Sequence, residues 1–403
     1  MSPLAEDTFK KRGIEVDYKP GLSAEELKAI IKNYDGLAIR SSTTVTPELL
    51  AAADNLKVVG RAGIGTDNID KPAATARGVI VMNTPFGNSI TTAEHAIAMM
   101  FALARQIPQA NSSTHQGKWE KSGFMGRELF GKTLGIIGCG NIGAIVADRA
   151  LGLKMKVIAY DPYLTAERAQ EIGVKKAELD DILQTADFIT LHTPLTDKTR
   201  GLIGREAMEK MKDDACIINC ARGGLIDETA LKEALDNGTL GGAALDVFEN
   251  EPATDNILFN HDKVICTPHL GASTSEAQEN VALQVAEQIS DYLLTGAVTN
   301  ALNMPSVSAE DAPKLRPYMM LAEHLGSFAG QIARSAIKSV EITYEGAIAK
   351  MNVKPLTSLI LAGILKPSLE EVNIVSAPMR ASERGIDIKE GFREAVANFQ
   401  TAI

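Results

Sequence analysis

Apolar positions along this chain fall into short runs that alternate with helical stripes, and polar or glycine-containing joints separate them. Over residues 1–87 this pattern predicts helices at Glu25–Asn33 and Pro47–Ala53 and strands at Gly36–Arg40, Val58–Arg61 and Val79–Asn83. Strands that alternate with helices are typical of a parallel sheet with helices on its faces. We therefore predict an α/β fold for the first part of the chain.

The alternation stops at Thr84–Asn88, whose proline and glycine predict a hinge, and a helix follows at about Thr91–Arg105. From Thr133 onward the alternation resumes with six apolar runs, which is the strand count of a complete dinucleotide-binding sheet. These runs lie at residues 133–138, 156–160, 187–191, 215–219, 242–246 and 264–267. A second parallel sheet is therefore predicted after the hinge.

The last part of the chain has a different pattern. Glu276–Leu294 is a helical run that could return the chain to the first sheet, and prolines cluster soon after it. Beyond residue 303 the pattern predicts helices at Leu315–Ile332 and Leu356–Leu365 and a strand at Ser339–Tyr344. This combination predicts a small α+β domain that is distinct from the two sheets.

The strand at 133–138 runs directly into a Gly-x-Gly-x-x-Gly sequence formed by Gly138, Gly140 and Gly143. The first glycine permits a tight turn, the second lets the backbone approach a pyrophosphate, and the third lets a helix pack closely on the strand. The amides that begin this helix, including those of Asn141 and Ile142, favour negative charge. In this strand–turn–helix context the motif predicts a dinucleotide site.

Asp161 follows the next predicted strand and indicates which dinucleotide is bound. A carboxylate at this place accepts hydrogen bonds from the adenosine ribose of NAD and repels the 2′-phosphate of NADP. We therefore predict NAD as the cofactor and a Rossmann-type NAD-binding domain at residues 88–271. Because this domain lies in the middle of the chain, we predict a substrate-binding domain split over residues 1–87 and 272–302, followed by a partial C-terminal α+β domain at 303–403.

The composition limits the possible functions. The chain has 403 residues, of which 45% are hydrophobic and 23% charged, as in an ordinary globular protein of two or three domains. Its net charge of −10, without a basic block, argues against nucleic acid as a partner. No apolar run reaches the roughly 20 residues that cross a bilayer, so no membrane partner is predicted. Four cysteines without metal-ligand spacing predict free thiols in the cytoplasm and no bound metal.

Three polar residues follow successive strands of the predicted NAD-binding sheet: Arg222, Glu251 and His269. Open α/β sheets bind ligands at the carboxyl ends of their strands. An imidazole can take a hydroxyl proton, and a guanidinium can bind a carboxylate and a carbonyl together. These groups suit hydride transfer between a hydroxy acid and NAD. Each residue also has a simpler explanation: His269 as a structural histidine, Arg222 as part of a surface ion pair and Glu251 as a solvated acid. Because all three fall at one edge of the same sheet, a catalytic role is favoured.

Several segments resemble the D-2-hydroxyacid dehydrogenase family, and the similarity covers essentially the whole chain. The segments are Arg40–Thr43, Val58–Asp70, Asn83–Pro85, Gly117–Trp119, Asn219–Asp227, Ala243–Pro252 and Thr267–Thr274. The resemblance implies that Arg222, Glu251 and His269 are the catalytic residues. It assigns further residues to NAD: Thr193, Pro194, Cys220, Ala221, Asp246, Gly271 and Ala272.

The resemblance also implies a substrate and a reaction. The backbone at Gly63, Ile64 and Gly65 would hold the substrate carboxylate, and Arg40 and Arg61 would bind a phosphate. Ser41 and Lys121 are further substrate-binding candidates. The implied activity is the NAD-dependent oxidation of 3-phospho-D-glycerate to 3-phosphohydroxypyruvate, the first step of L-serine biosynthesis, carried out by a homodimer or homotetramer.

Two other functions stay open at this stage. One is a glyoxylate or hydroxypyruvate reductase, or another D-2-hydroxyacid dehydrogenase, which would act on a substrate without phosphate. The other is an NAD-sensing binding protein that resembles the corepressors built on this fold. Arg40, Arg61 and the third domain favour the phosphorylated hydroxy acid, and the complete Arg–Glu–His set favours an enzyme.

The chain departs from the family pattern at both ends. It begins with a segment that resembles the family's first helix, Ala5–Arg12, so we expect that the first strand, central in a flavodoxin-like substrate-binding domain, is missing. Residues 303–403 resemble only part of the family's intervening domain, so we expect a truncated chain, and the resemblance does not extend to feedback regulation by serine. Ile64 stands where the family frequently has a hydroxyl residue.

Overall fold

The computed structural model describes residues 1–307, 310–333, 335–369, 372–394 and 401–403. The chain divides into two compact units. The first unit combines Met1–Gly87 with Gln278–Ile403, and the second comprises Asn88–Ala277. The three-domain division predicted above, with its boundaries at 87, 271 and 302, stays a prediction.

The first unit begins with helices around a three-stranded parallel sheet, in which the strands follow chain order. A long helix, α12 (Ser275–Thr295), packs on this sheet. The contact is close, because a methyl group added at Gly60 in the sheet would lie 2.5 Å from Cδ1 of Ile289 in the helix. The preceding elements are α1 (Pro3–Lys11), α2 (Ala24–Ile30), β1 (Gly36–Ile39), α3 (Pro47–Ala51), β2 (Val58–Arg61), α4 (Lys71–Ala76) and β3 (Ile80–Asn83). Among the described residues β1 pairs on one side only, with β2.

The second unit is built on a seven-stranded parallel sheet. Its helices are α5 (Ser89–Arg105), α6 (Ile107–His115), α7 (Asn141–Gly152), α8 (Ala166–Ile172), α9 (Leu179–Thr185), α10 (Arg205–Glu209) and α11 (Glu228–Asp236). Its strands are β4 (Thr133–Ile137), β5 (Lys156–Tyr160), β6 (Lys175–Lys176), β7 (Phe188–Leu191), β8 (Cys216–Asn219), β9 (Gly242–Leu245) and β10 (Val264–Cys266). They lie in the order β10-β9-β8-β7-β4-β5-β6, so the chain reverses its direction of travel across the sheet after β6. That reversal is the topological switch point of a dinucleotide-binding fold.

The C-terminal part of the first unit packs helices on a second small sheet. Two helices cross closely, because a methyl group added at Gly326 would lie 2.3 Å from the carbonyl oxygen of Ile360. The elements are α13 (Ala312–Ile332), β11 (Ser339–Gly346), α14 (Lys354–Leu365), α15 (Ala377–Glu383), β12 (Asp387–Arg393) and β13 (Thr401–Ala402). The strand β11 lies in the centre, parallel to β12 and antiparallel to β13.

The predicted α/β fold with a Rossmann-type domain is confirmed, and the local differences have physical reasons. The sequence predicted six strands in the second sheet, and the structure has seven. The additional strand β6 consists of two exposed lysines that pair with Ile158 and Ala159, so it lacks an apolar run. The predicted helix at Thr91–Arg105 begins earlier, at Ser89. None of the helices in the described residues combines the length and apolarity that a membrane crossing requires.

Candidate active site

The glycine-rich turn lies between β4 and α7, as its sequence predicted. Gly138 has a φ of +95°, a conformation that residues with a Cβ rarely adopt. A methyl group added at Gly143 would lie 2.1 Å from the carbonyl oxygen of Gly138, so only glycine lets the helix approach the strand here. A methyl group at Gly140 would meet nothing within 4 Å. This open approach to the amides that begin α7 suits a pyrophosphate.

Asp161 follows β5 and is held by the glycine-rich turn itself. Its Oδ2 accepts a hydrogen bond from the backbone amide of Cys139 at 2.9 Å, and its Oδ1 accepts one from the amide of Tyr163 at 2.8 Å. These two bonds fix the carboxylate at the carboxyl edge of the sheet, one strand from the turn. A carboxylate in this position suits the ribose hydroxyls of NAD.

Two buried polar atoms follow β7 without a hydrogen-bond partner among the described residues. They are Nδ1 of His192 and Oγ1 of Thr193. Nε2 of His192 lies 3.0 Å from Oγ1 of Thr190, and burial lowers the pKa of His192 to about 4, so the ring is neutral near pH 7. Because buried polar atoms normally have partners, the Thr193 hydroxyl fits a group supplied by a ligand such as the cofactor.

Three of the other residues assigned to NAD, Cys220, Ala221 and Asp246, follow β8 and β9. Cys220 is buried, and burial raises the pKa of its thiol far above the ordinary value, so it stays protonated. Ala221 is partly buried, and its amide donates to Oδ1 of Asn219 at 3.0 Å. Asp246 has no exposed surface. Pro194, Gly271 and Ala272 lie in loops after β7 and β10.

The carboxylate of Asp246 organises the loop that carries His269. It accepts hydrogen bonds from the hydroxyl of Thr267 at 2.6 Å and from the amides of Leu270 and Gly271 at 2.7 and 2.8 Å. Burial acts to raise the pKa of Asp246, but hydrogen bonds from His95, Thr267 and Leu270 outweigh burial and lower it. The side chain is therefore a carboxylate near pH 7.

The predicted catalytic residues follow three neighbouring strands of one sheet. Arg222 follows β8, Glu251 follows β9 and His269 follows β10, and these strands are adjacent and parallel. Nδ1 of His269 lies 2.7 Å from Oε2 of Glu251, while Oε1 of Glu251 accepts a hydrogen bond from the amide of Phe248 at 3.0 Å. This pairing orients the imidazole and leaves Nε2 for a substrate.

The environment keeps Glu251 ionised. Partial burial acts to raise its pKa, but hydrogen bonds from His269 and from the amide of Phe248 outweigh burial and lower it. The folded pKa is below the ordinary value, so the carboxylate is present at neutral pH and is lost as the pH falls through the lowered pKa. A charged Glu251 stabilises the imidazolium that forms when His269 takes a proton.

The loop that carries Arg222 is held by the side chain of Asn219, the last residue of β8. Nδ2 of Asn219 donates to the carbonyl oxygen of Arg222 at 2.8 Å. Nη1 of Arg222 donates to the carbonyl oxygen of Ala221 at 2.6 Å. Asn219 is buried at the end of its strand. Its side chain therefore shapes the turn that presents the guanidinium of Arg222.

The predicted carboxylate-binding loop at Gly63–Gly65 belongs to the first unit and follows β2. The amide of Gly63 donates to the buried hydroxyl of Thr84 at 2.6 Å, and Nδ2 of Asn83 donates to the carbonyl oxygen of Ile64 at 2.7 Å. Gly63 has a φ of +136°, so the loop needs glycine at this position. Sequence reasoning missed the roles of Asn83 and Thr84, although both fall in a segment that resembled the family.

The two arginines assigned to phosphate lie at the carboxyl ends of neighbouring strands. Ile39 of β1 is the register partner of Arg61 in β2, and Arg40 directly follows Ile39. Nη1 of Arg61 donates to the carbonyl oxygen of Ala62 at 3.2 Å. Ser41 is exposed in the turn after Arg40. Lys121, the remaining substrate candidate, lies in a short 3-10 helix of the other unit.

The helical pattern alone does not place His95 of α5 in the site. In the structure its Nε2 lies 3.2 Å from Oδ1 of Asp246 and 3.2 Å from Oγ1 of Thr267. Among the described residues, His95, Cys220 and Asp246 form the one group whose ligand atoms are close enough to hold a metal ion. The Asp246 oxygens already accept three hydrogen bonds from Thr267, Leu270 and Gly271, which accounts for this cluster as a hydrogen-bond network.

Comparisons with known proteins agree with this geometry. The profile of the D-isomer specific 2-hydroxyacid dehydrogenase NAD binding domain matches residues 97–271, and that of the D-3-phosphoglycerate dehydrogenase intervening domain matches residues 314–403. The D-3-phosphoglycerate dehydrogenase of Archaeoglobus fulgidus is 47% identical over 100% of this chain and 77% of its own length. That of Bacillus subtilis is 46% identical over 100% of this chain and 76% of its own length.

Solved structures of related enzymes share the fold. A glyoxylate reductase from Paecilomyes thermophila is 30% identical, with a TM-score of 0.69, over 75% of this chain and 94% of its own. The strand-end residues and the NAD-binding profile define an NAD-dependent oxidoreductase of the D-isomer specific 2-hydroxyacid dehydrogenase class. Within that class, the chain belongs to the D-3-phosphoglycerate dehydrogenase family. The predictions of NAD as cofactor and of a dehydrogenase are thereby confirmed.

Proposed function

We propose that this protein oxidises 3-phospho-D-glycerate to 3-phosphohydroxypyruvate with NAD, the first step of L-serine biosynthesis. The observation that carries the proposal is the 47% identity to a D-3-phosphoglycerate dehydrogenase across the whole chain, including the part that matches the intervening domain. The reaction removes a hydride from the carbon that bears the hydroxyl and a proton from the hydroxyl oxygen. NAD, when bound, would supply the acceptor for the hydride.

His269 takes the hydroxyl proton in this mechanism. Its Nδ1 faces Glu251 at 2.7 Å, so the free Nε2 is the atom that receives the proton. As the O–H bond breaks, its electron pair forms the carbonyl and expels the hydride from carbon. The ionised Glu251 stabilises the imidazolium while this happens.

Arg222 provides the positive charge that the reaction needs at oxygen. A guanidinium can bind one carboxylate oxygen and the reacting oxygen at the same time, which fixes the substrate and stabilises negative charge on the oxygen. In the Gly63–Gly65 loop the amides of Ile64 and Gly65 bind the carboxylate. The amide of Gly63 donates to Thr84 and the carbonyl oxygen of Ile64 accepts from Asn83, which holds the loop in shape. Arg40 and Arg61 recognise the phosphate.

A glyoxylate or hydroxypyruvate reductase is the alternative within the same class. The similar glyoxylate reductase covers 75% of this chain, whereas the D-3-phosphoglycerate dehydrogenase of A. fulgidus covers all of it. Two arginines at the carboxyl ends of adjacent strands of the first unit also suit a phosphorylated substrate better than glyoxylate.

The proposal is tested by comparing substrates in steady-state assays. We expect a kcat/KM for 3-phospho-D-glycerate with NAD that is at least about 100-fold above those for D-glycerate and D-lactate, because a bound phosphate adds charge-assisted hydrogen bonds. Arg61→Ala should lower kcat/KM for 3-phospho-D-glycerate by about 100-fold and that for D-glycerate by about 3-fold or less. Arg77→Ala is the matched control, because Arg77 is an exposed arginine of the same unit that pairs with Asp54. Equal losses for both substrates in Arg61→Ala would contradict phosphate recognition.

We also propose a cytoplasmic homo-oligomer, a homodimer or homotetramer formed through the second unit. All four cysteines are free, in keeping with a reducing compartment. Trp119, Met125 and Phe130 expose 87%, 78% and 71% of their surface, and large apolar side chains of this kind are typical of interfaces. Light scattering should show a multiple of the chain mass that falls in a Trp119→Ser, Phe130→Ser variant but not in Tyr163→Ser. A monomeric wild-type protein would contradict this proposal.

A further inference from the structure

The loop that presents His269 is tied to helix α5 at two points. The hydroxyl of Thr92 donates to the carbonyl oxygen of Gly271 at 2.8 Å, and His95, three residues later on the same helical face, meets Asp246 and Thr267. His269 lies between these anchor points and has a φ of +57°, which a histidine rarely adopts without support. The backbone conformation of the catalytic residue therefore depends on contacts made by its neighbours.

Asp246 transmits the support from α5 to the loop. Its carboxylate accepts hydrogen bonds from Thr267 before His269 and from Leu270 and Gly271 after it, and its carbonyl oxygen accepts the amide of His269 at 2.9 Å. A carboxylate without exposed surface is stable only when donors or a positive charge surround it. His95 can provide such a donor from the helix, since its Nε2 lies 3.2 Å from Oδ1 of Asp246 and can donate a hydrogen bond to it.

We propose that His95 is a positioning residue: through Asp246 and Thr267 it holds the loop at 267–271 in the conformation that presents His269 to the substrate. His95 itself does not contact the reacting atoms in this account. The inference rests on the proposed acid–base role of His269. Its consequence is that the protonation of Asp246 and the orientation of His269 are coupled.

Replacing His95 should change how kcat/KM depends on pH. Asp246 is faced by His95 from α5, by Cys220 after β8 and by Glu251 from the loop after β9, while the ring of His269 faces Glu251. Without His95, Asp246 loses one of the hydrogen bonds that keep it ionised, so it protonates at a higher pH. The acid limb of kcat/KM then moves to higher pH.

The test compares three substitutions at His95 with one control. His95→Leu removes the donor but keeps bulk, His95→Asn is too short for its amide to reach Asp246, and His95→Gln places an amide donor near the position of Nε2. We expect kcat to fall about 10-fold in the first two variants, with an acid limb shifted upward by about half a pH unit or more. His95→Gln should restore most of the wild-type kcat and most of the wild-type position of the acid limb. His261→Leu is the matched control, because His261 pairs with Asp236 at 3.3 Å on the same unit.

A second measurement does not depend on the substrate. In protein labelled at its histidines, the Cε1–H resonance of His269, assigned with a His269→Gln variant, should have a different chemical shift in His95→Leu and His95→Asn than in wild type. The proposal is wrong if this resonance and the pH profile match those of His261→Leu, or if activity falls by the same factor at every pH with the resonance unmoved. If the wild-type protein has no activity on 3-phospho-D-glycerate while the His269 resonance is still shifted in the His95 variants, the proposed substrate is contradicted and the role of His95 is supported.

Discussion

At the scale of single residues, the acid–base pair depends on which nitrogen of His269 faces the acid. Nδ1 lies 2.7 Å from Glu251, and Glu251 is in turn held by the amide of Phe248. We expect His269→Ala to lower kcat by about 10²–10⁴-fold, which is the usual contribution of general acid–base catalysis. The Kd for NADH, measured by fluorescence, should change by less than about 3-fold. An unchanged kcat would contradict the acid–base assignment.

Glu251→Gln provides the sharper test of the same pair. The amide keeps the shape of the side chain but cannot stabilise the imidazolium through its charge, so kcat should fall by about 10- to 100-fold. Glu249→Gln is the control, since Glu249 follows the same strand but is exposed and close to Arg200 instead. Because the folded pKa of Glu251 is lowered, its carboxylate stays ionised through neutral pH, so the lower kcat of Glu251→Gln should be observed at pH 7 and above. Glu249→Gln should keep the wild-type kcat over the same pH range.

Asp161 is the residue that we expect to favour NAD over NADP. Each of its oxygens accepts a backbone hydrogen bond, from Cys139 and from Tyr163, so the carboxylate is fixed rather than free to turn away from a 2′-phosphate. Asp161→Ala should raise the KM for NAD by about 10-fold and raise the ratio of NADP to NAD activity by at least as much. Asp148→Ala, on the exposed side of α7 beside Arg149, is the control. An unchanged ratio in Asp161→Ala would argue against contact with the ribose.

At the scale of elements, the junction of β4 and α7 depends on a contact that only glycine permits. Gly143→Ala would place its methyl group 2.1 Å from the carbonyl oxygen of Gly138, so the helix must move away from the strand. We expect a loss of about 1–3 kcal/mol in the free energy of unfolding and at least 10-fold weaker NADH binding. Gly152→Ala is the matched control at the other end of α7, where a methyl group would meet nothing within 4 Å. That variant should be neutral or more stable by up to about 1 kcal/mol, as measured by denaturant unfolding.

The elements also show how far the sequence can predict this fold. The buried strands of the NAD-binding sheet are apolar runs bounded by polar joints, so their pattern was sufficient to place them. The strand β6 and the strand β12 lack that pattern, because β6 is two lysines and most of β12 is exposed at the edge of its sheet. Such strands form because a neighbouring strand offers hydrogen bonds, and a local pattern does not contain that information.

The candidate site was predictable to a similar degree. Arg222, Glu251 and His269 follow strands, so the parallel order of the sheet places them at one edge. The network of His95, Asp246 and Thr267 could not be predicted, because it joins a helix to two strand ends that are far apart in sequence. A histidine on a helical stripe looks like a packing residue until the partner that faces it is known.

At the scale of the whole molecule, His192 links stability to pH. Its pKa is lowered from 6.5 in the unfolded chain to about 4 in the folded protein, because burial disfavours the charged ring. Between these values the unfolded state binds a proton that the native state does not, so stability falls as the pH decreases from about 6.5 to about 4. From that difference the loss is at most about 3 kcal/mol, and it is complete below the folded pKa.

His192→Gln should flatten this part of the stability curve. The amide can keep a hydrogen bond to the hydroxyl of Thr190, which now faces Nε2 at 3.0 Å, but it does not titrate. Denaturant unfolding without NAD at pH 7 and pH 4.5 should therefore show a smaller decrease in the variant than in the wild type. His115→Gln, at an exposed position of the same unit, should retain the full decrease. If the His192 variant instead follows the wild-type curve, the ring is protonated in the native state at pH 4.5 and does not account for the decrease. The lowered pKa values of Asp246 and Glu251 act in the same direction but mainly below pH 4.5, so they do not explain a loss between pH 7 and pH 4.5.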